Sequence, residues 1–327
     1  MRIDFHSHFM PLALLREHLK PGQTQAVVYD RDGQPRFTAR EKQYNMELRL
    51  EDMERAGLDT AVLSSPLGWN ASLAMCRLVN EELAELQQRY PRRMVGLAHL
   101  PPAGGSEGLR ELERSVRNGL RGVSIVSQVV VGERLASLDA PELEEFYSLV
   151  EELDVPVFVH PPAAPKGYAL LNDYDLARCI GREFDLVVAI VRLILGGVLE
   201  RHPRLNLVIA HFGGGLTTLA GRIERYQEKS FFGLDEPSKV EQFRDGISRL
   251  YFDAGGFFGW MNALLSFLLT MPPERLLFGS DYPQEITSGE GIRGYIQAIS
   301  GLSLGPTVLH NILGGTAARL LKLESAA

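Results

Sequence analysis

Short runs of β-branched and aromatic residues recur along the chain, at Arg2–Phe5, Thr60–Ser64, Met94–Leu100, Gly122–Val126, Pro156–His160, Asn206–His211, Leu250–Asp253 and Leu276–Gly279. Longer stretches of helical period separate them. Ala71–Tyr90 carries apolar Leu78, Val79, Leu83 and Leu86 and stops before Pro91, while Glu142–Leu153 follows Pro141, a good first-turn residue. Parallel strands need crossovers of this length, so the alternation predicts an α/β fold with helices packed on a parallel sheet. Roughly eight strands close a (β/α)8 TIM barrel, which is the expected architecture. An open doubly wound sheet uses the same alternation. No Gly-rich dinucleotide turn follows the first strand, however: His6-Ser7-His8 stands there, and Gly213-Gly214-Gly215 is not spaced as that fingerprint demands.

One segment departs from the scheme. Gln25–Thr38 holds Val27, Val28 and Tyr29, then Asp32-Gly33, then Arg36 and Phe37, which reads as a small β-hairpin inserted after strand one, a flap at the barrel mouth. At the other end, Pro306–Leu323 contains Ile312-Leu313-Gly314-Gly315 and a helical Thr316–Leu321, expected to pack under or beside the barrel. No internal repeat or low-complexity segment interrupts the chain.

Length and composition agree with one large domain spanning residues 1–327: 45% of the 327 residues are hydrophobic, ample for a barrel core. A net charge of −7 without any long basic run leaves nothing to neutralise nucleic acid or an anionic membrane surface. Leu186–Leu199, the longest apolar stretch, is broken by Arg192 and Gly196-Gly197 and is too short to span a bilayer. No apolar signal segment opens the chain, so a cytoplasmic protein is expected. Cys76 and Cys179 lie far apart in apolar helical patterns and are read as two buried small hydrophobes.

The polar residues at strand ends change the picture. Strand one ends in His6-Ser7-His8, strand five in His160, strand six in His211 and strand eight in Gly279-Ser280-Asp281. The carboxyl ends of barrel strands converge on one face, so these groups become neighbours however far apart they lie in sequence. Histidines at i and i+2 of an extended segment project to the same side. With His160 and Asp281 they supply the nitrogen and oxygen ligands suited to one Zn²⁺ or another first-row divalent ion, with a position left open for catalysis. A lone buried histidine usually satisfies a backbone group, and His18, His99, His202 and His310 are left as surface or structural residues, His99 being near enough to a strand end to line the pocket. Ligand types on four strand ends at once are not explained that way. His211 is read as general acid or base in preference to a further ligand, because another imidazole would close the coordination shell. The glycines after it form either a flexible link or an approach for a substrate carboxylate to backbone N–H groups.

At these residues the chain resembles the amidohydrolase superfamily, specifically its family 2 decarboxylase branch, which includes aminocarboxymuconate-semialdehyde decarboxylase and γ-resorcylate decarboxylase. The resemblance runs through Ile3-Asp4-Phe5-His6-Ser7-His8, Val157-Phe158-Val159-His160-Pro161, Ala210-His211-Phe212-Gly213-Gly214, Gly279-Ser280-Asp281-Tyr282-Pro283 and Leu313-Gly314-Gly315-Thr316-Ala317. It implies a single divalent metal, zinc with manganese as the alternative, held by His6, His8, His160 and Asp281. It assigns the acid/base role to His211, and Asp281 matches a proton donor proposed for aromatic members. Strand four lacks the lysine that many two-metal hydrolytic relatives carboxylate. Arg222 matches an arginine that the semialdehyde decarboxylase lends across a dimer interface to a substrate carboxylate, which implies a homodimer. Phe37 stands where that enzyme has a second substrate arginine, with Arg36 and Arg40 close by, and Pro162 replaces a tryptophan of its pocket wall. His6 follows the semialdehyde type, since the resorcylate type often carries glutamate there.

The expected activity is a non-oxidative decarboxylase (carboxy-lyase) acting on an unsaturated or aromatic carboxylic acid. A lactonase-like hydrolase or hydratase on the same metal is the competing enzyme reading, because fold alone does not decide chemistry. A non-catalytic scaffold would have no need of five such polar residues at its strand ends.

Overall fold

The computed structural model describes residues 1–16, 18–29, 35–163, 165, 167, 169–171 and 173–323. Among them, eight parallel strands carry the sheet: β1 (Ile3–His8), β2 (Thr60–Ser64), β3 (Met94–Gly96), β4 (Val123–Val126), β5 (Val157–His160), β6 (Leu207–Ile209), β7 (Tyr251–Asp253) and β8 (Leu276–Leu277). They form two arcs, β1-β2-β3 and β8-β7-β6-β5-β4. Parallel bridges join the arcs at both seams, Ser7 with Tyr282 and Ala98 with Val123. Phe5 N donates to Phe278 O at 2.9 Å and His8 N to Tyr282 O at 2.8 Å across one seam, and Ala98 N donates to Gly122 O at 2.8 Å across the other. The ring is thereby closed.

The barrel strands are buried on both faces, Tyr251 alone being half-buried, which is why most read as near-continuous apolar runs, β1 with its buried Asp4, His6, Ser7 and His8 being the exception. Ile3, Phe5, Val62, Val95, Phe158, Val208 and Leu277 form one cluster with Ala317, Leu320 and Leu321 of the tail helix Thr316–Leu320. That tail packs at the end of β1 away from the histidines, where a Cβ on Gly314 would meet the Met1 carbonyl at 2.4 Å. A larger cluster fills the space between strands and outer helices, including Leu186, Ile190 and Leu193 of the helix Arg182–Leu195.

The two helices read from the sequence are present with adjusted ends. Leu73–Arg89 is capped by Ser72, whose hydroxyl accepts from Met75 N. At Pro141 the chain first makes a tight 3-10 turn, Pro141–Leu143, before the helix Glu144–Leu153. No helix among the described residues is long and apolar enough to cross a membrane.

In the segment after β1, Gln25–Tyr29 pairs antiparallel with Pro35–Arg40, Val28 facing Phe37. The Asp32-Gly33 turn lies outside the described residues. Val28, Phe37 and Ala39 pack on Met10 and Leu15, so the paired strands sit against the chain leaving β1. A second antiparallel pair, Val129–Val131 with Arg134–Ala136, follows β4 and has no counterpart in the sequence reading.

Candidate metal centre

The β1 register jumps from Asp4 opposite Ala61 to Ser7 opposite Leu63, so Phe5 and His6 together face Val62 in a β-bulge. Phe5 stays in the interior cluster while His6 and His8 bring their rings to 5.0 Å between centroids. Arg49, buried in the helix Met46–Ala56, fixes this strand end: Nη1 donates to Ser7 Oγ at 2.5 Å and Nη2 to the His8 carbonyl.

His6, His8, His160 and Asp281 each offer a ligand atom, and all four atoms lie within 4.8 Å of one another. His8 Nε2 is 2.8 Å and His6 Nε2 3.5 Å from Asp281 Oδ1. The Nδ1 atoms point outward to fixed partners. His6 Nδ1 is 2.9 Å from Asp253 Oδ2, His8 Nδ1 is 3.2 Å from Ser64 Oγ, and His160 Nδ1 is 2.7 Å from the Pro161 carbonyl. With a proton on each Nδ1, every Nε2 lone pair faces the shared centre. His160 Nε2 and Asp281 Oδ1 are buried with no hydrogen-bond partner. Buried polar atoms are rarely left so, and a divalent cation is what this donor set lacks.

Charge agrees with that fit at two of the three imidazoles, whereas at His6 burial opposes the charged form but Asp253 and Asp281 outweigh it and raise the ring. Burial, and then the neighbouring imidazoles, hold the His160 ring well below the usual histidine range, and burial lowers His8 as well, so both are neutral donors at neutral pH. Burial alone would raise the Asp281 carboxyl, but His6, His211 and His8 hold it well below the ordinary value, as an anion.

His211 stands beside this group and not within it. Its Nδ1 is 2.8 Å from Glu183 Oε1, while Nε2 faces Asp281 Oδ2 at 3.7 Å without a hydrogen bond. Burial opposes its charged form, yet Glu183 and Asp281 outweigh it and raise the imidazole well above its ordinary value. His211, Phe212 and Asp281 all adopt positive φ, at 57°, 52° and 51°, the kind of backbone strain that clusters at functional sites. Gly256 (φ +85°) makes room for the imidazole, since a Cβ there would lie 2.1 Å from the His211 ring. The glycines after His211 have a packing role that neither sequence reading anticipated: a Cβ on Gly214 would lie 2.1 Å from the Glu183 carbonyl oxygen.

A cavity of about 660 Å³ opens over the centre, lined among others by His8, His160, Asp281, Phe37, Trp69 and Arg182. Trp69 stacks on His160 at 4.1 Å and donates from Nε1 to Ser124 Oγ at 3.0 Å. Phe37 therefore reaches the pocket from its strand. Arg222 does not: it is exposed on the helix Leu216–Gln227, where Nη2 donates to Tyr226 Oη at 3.1 Å. Cys76 is buried as read, but Cys179 is exposed, because it sits on the π-helical turn Ala177–Gly181 at the cavity wall and not in a packed helix. His99 is buried and structural, its Nε2 accepting from Ser65 N at 2.9 Å, with burial pushing it down to about 3. His202 is buried between Glu144 and Glu151.

Several site residues escaped the sequence reading. Asp253 ends β7 and orients His6. Asp4 accepts from Ser280 Oγ at 2.5 Å and Ser280 N at 3.0 Å, tying the β1 bulge to the Asp281 loop. Burial pushes the Asp4 carboxyl up to about 6 against those bonds. Glu183 and Glu285 also line the cavity, Glu285 accepting from Phe258 N at 2.9 Å.

Residues 3–323 match the model of a family described as amidohydrolase. The chain is 27% identical over 352 residues to 2-amino-3-carboxymuconate-6-semialdehyde decarboxylase of Dictyostelium discoideum, covering 99% of this chain and 92% of that protein. It is 28% identical over 255 residues to gamma-resorcylate decarboxylase of Rhizobium radiobacter, covering 73% of this chain and 77% of that one. Its backbone superposes with a TM-score of 0.78 on 5-carboxyvanillate decarboxylase from Novosphingobium aromaticivorans, solved with manganese and 4-hydroxy-3-methoxy-5-nitrobenzoic acid, at 19% identity over 99% of this chain and 96% of that one.

Proposed function

This chain belongs to the amidohydrolase family, and on that premise we propose that it is a metal-dependent decarboxylase, removing CO₂ without oxidation from an unsaturated or aromatic carboxylic acid. The observation that carries the reading is the convergence of three imidazoles and one carboxylate, with His160 Nε2 and Asp281 Oδ1 buried without a partner and His211 poised beside them.

His6, His8, His160 and Asp281 would hold one divalent ion. Zinc is the choice favoured by the imidazole-rich set, and manganese, present in a structural neighbour, is the alternative. When bound, that ion supplies a Lewis acid for the substrate carboxylate or an adjacent oxygen. The remaining work falls to the protein. Glu183 fixes the His211 ring through Nδ1 and favours its protonated form, so Nε2 carries the proton that the substrate carbon needs. The bond to the carboxylate breaks, its electron pair stays on carbon, CO₂ departs, and carbon takes the His211 proton. Asp281, held as an anion, is better suited to bind the ion than to donate. Phe37, Trp69 and the other aromatic lining residues would sandwich a planar substrate and keep water out.

The paired strands Gln25–Tyr29 and Pro35–Arg40 act as a flap, because Phe37 and Arg40 on the second of them line the cavity. The molecule works as one domain in the cytoplasm and as a homodimer, in which Arg222 would serve a partner's site. In support of the dimer, Arg222 borders a groove with Val188, Val191, Leu219, Ile223 and Tyr226.

The test is direct. The metal-loaded protein is given a panel of hydroxybenzoates and muconate semialdehydes in ¹⁸O-labelled water, and CO₂ and product are followed together. Release of CO₂ with hydrogen in place of the carboxyl group is expected. Absence of CO₂ from every acid, with ¹⁸O entering the product of an ester or lactone, would hand the site to the hydrolase reading.

A further inference from the structure

A second cavity, of about 650 Å³, opens between the antiparallel pair that follows β4 and the helix Arg182–Leu195. It shares no lining residue with the cavity over the metal centre, and the reaction proposed above makes no use of it. Its volume falls in the range of small-molecule sites.

The charges around this cavity are matched except at one residue. Arg192 is held by Asp139 through two bonds of 2.9 Å, and Arg134 pairs with Glu142. Asp185 has no cationic partner among the described residues. Its carboxylate accepts from Ser127 Oγ and, at 2.8 Å, from Gln128 Nε2, and both donors are neutral. The residue lines the cavity yet is only 4% exposed. Burial raises its carboxyl above the ordinary value against those two bonds, and no neighbouring charge is among the influences on it. Buried carboxylates are normally paired with a cation. Each oxygen of a carboxylate accepts two hydrogen bonds, so both oxygens of Asp185 keep room for another donor.

The chemistry of the wall narrows the kind of cation. Among the described residues no set of metal-ligating side chains gathers here, and one carboxylate does not make a metal site. An organic ammonium needs no such set and brings three N–H donors of its own. Ser137 Oγ, buried without a partner and part of the same lining, is a further acceptor for them. Leu135, Pro141 and Ala189 offer apolar surface to a hydrocarbon body.

We propose that this cavity is a second ligand site, which takes a small primary amine in its ammonium form with Asp185 as the counter-ion. The site stands apart from the chemistry at the metal centre and does not draw on the decarboxylase reading.

The test uses the full chain loaded with Mn²⁺ and two ligands of one shape, 2-phenylethylamine and its neutral isostere 2-phenylethanol, titrated by calorimetry. The amine is expected to bind about 10- to 100-fold tighter than the alcohol, the margin of one charge-assisted pair. Asp185→Asn removes the charge and should erase that margin. Ala136→Trp fills the cavity from the hairpin side, leaves Asp185 in place and should abolish binding of both ligands, which keeps the site testable should Asp185→Asn fail to fold. Equal binding of amine and alcohol, or binding of neither, would overturn the site. So would a margin that survives Asp185→Asn, or amine binding undiminished in Ala136→Trp, since either places the amine elsewhere on the chain.

Discussion

The Asp253 carboxylate reaches three groups at once: His6 Nδ1 at 2.9 Å, Gly255 N at 2.7 Å and His211 N at 3.3 Å. It fixes the tautomer of one candidate ligand and the backbone of the proposed acid/base residue together. Partners of this kind typically hold 10- to 100-fold in metal affinity. Asp253→Asn is therefore expected to weaken metal binding by about that factor in a chelator-competition titration, with the fold retained by circular dichroism. Unchanged affinity would show that His6 needs no orienting partner. This residue was within reach of the sequence, because it closes the seventh strand as His6, His160 and Asp281 close theirs. A carboxylate at a strand end carries a signal once all eight ends are inspected. Glu183 and Arg182 carried none, since they open a helix and reach the pocket only through how that helix is laid on the barrel.

At the scale of elements, most strands were legible because a strand covered on both faces is apolar along much of its length, and the shared direction of His6 and His8 followed from the two-residue repeat. The bulge at Phe5 and His6 was not legible: it depends on pairing with Val62, which no local pattern encodes. Strand ends shifted for a similar reason. Met94–Leu100 reads as one run, yet regular pairing stops at Gly96 and only a bridge at Ala98 continues it. The helices Arg182–Leu195 and Leu216–Gln227 leave an apolar outer groove where Val188 is 44% and Tyr226 46% exposed. Exposed apolar surface of this kind marks association. Light scattering should return a species of two chains, and Val188→Asp should shift it toward one. A wild-type monomer would withdraw both the dimer and the role of Arg222.

Across the whole molecule, the two arcs of the barrel meet at narrow seams, and the candidate ligand set straddles one of them. His6 and His8 belong to the three-stranded arc, His160 to the five-stranded arc, and Asp281 follows β8 at the Ser7–Tyr282 bridge. A ligand bound only by the folded state stabilises it, by about 2.7 kcal/mol at a free concentration 100 times Kd. The Tm is accordingly expected to rise when Mn²⁺ or Zn²⁺ is added to chelator-treated protein, and to rise far less in His160→Ala. A Tm indifferent to metal would mean that the two arcs do not share the ion. The bridged seam carries a consequence outside the chemistry of the pocket. A newly made chain that has captured no ion goes without this link between the arcs and opens more often, so cellular proteases would find the empty copies before the loaded ones.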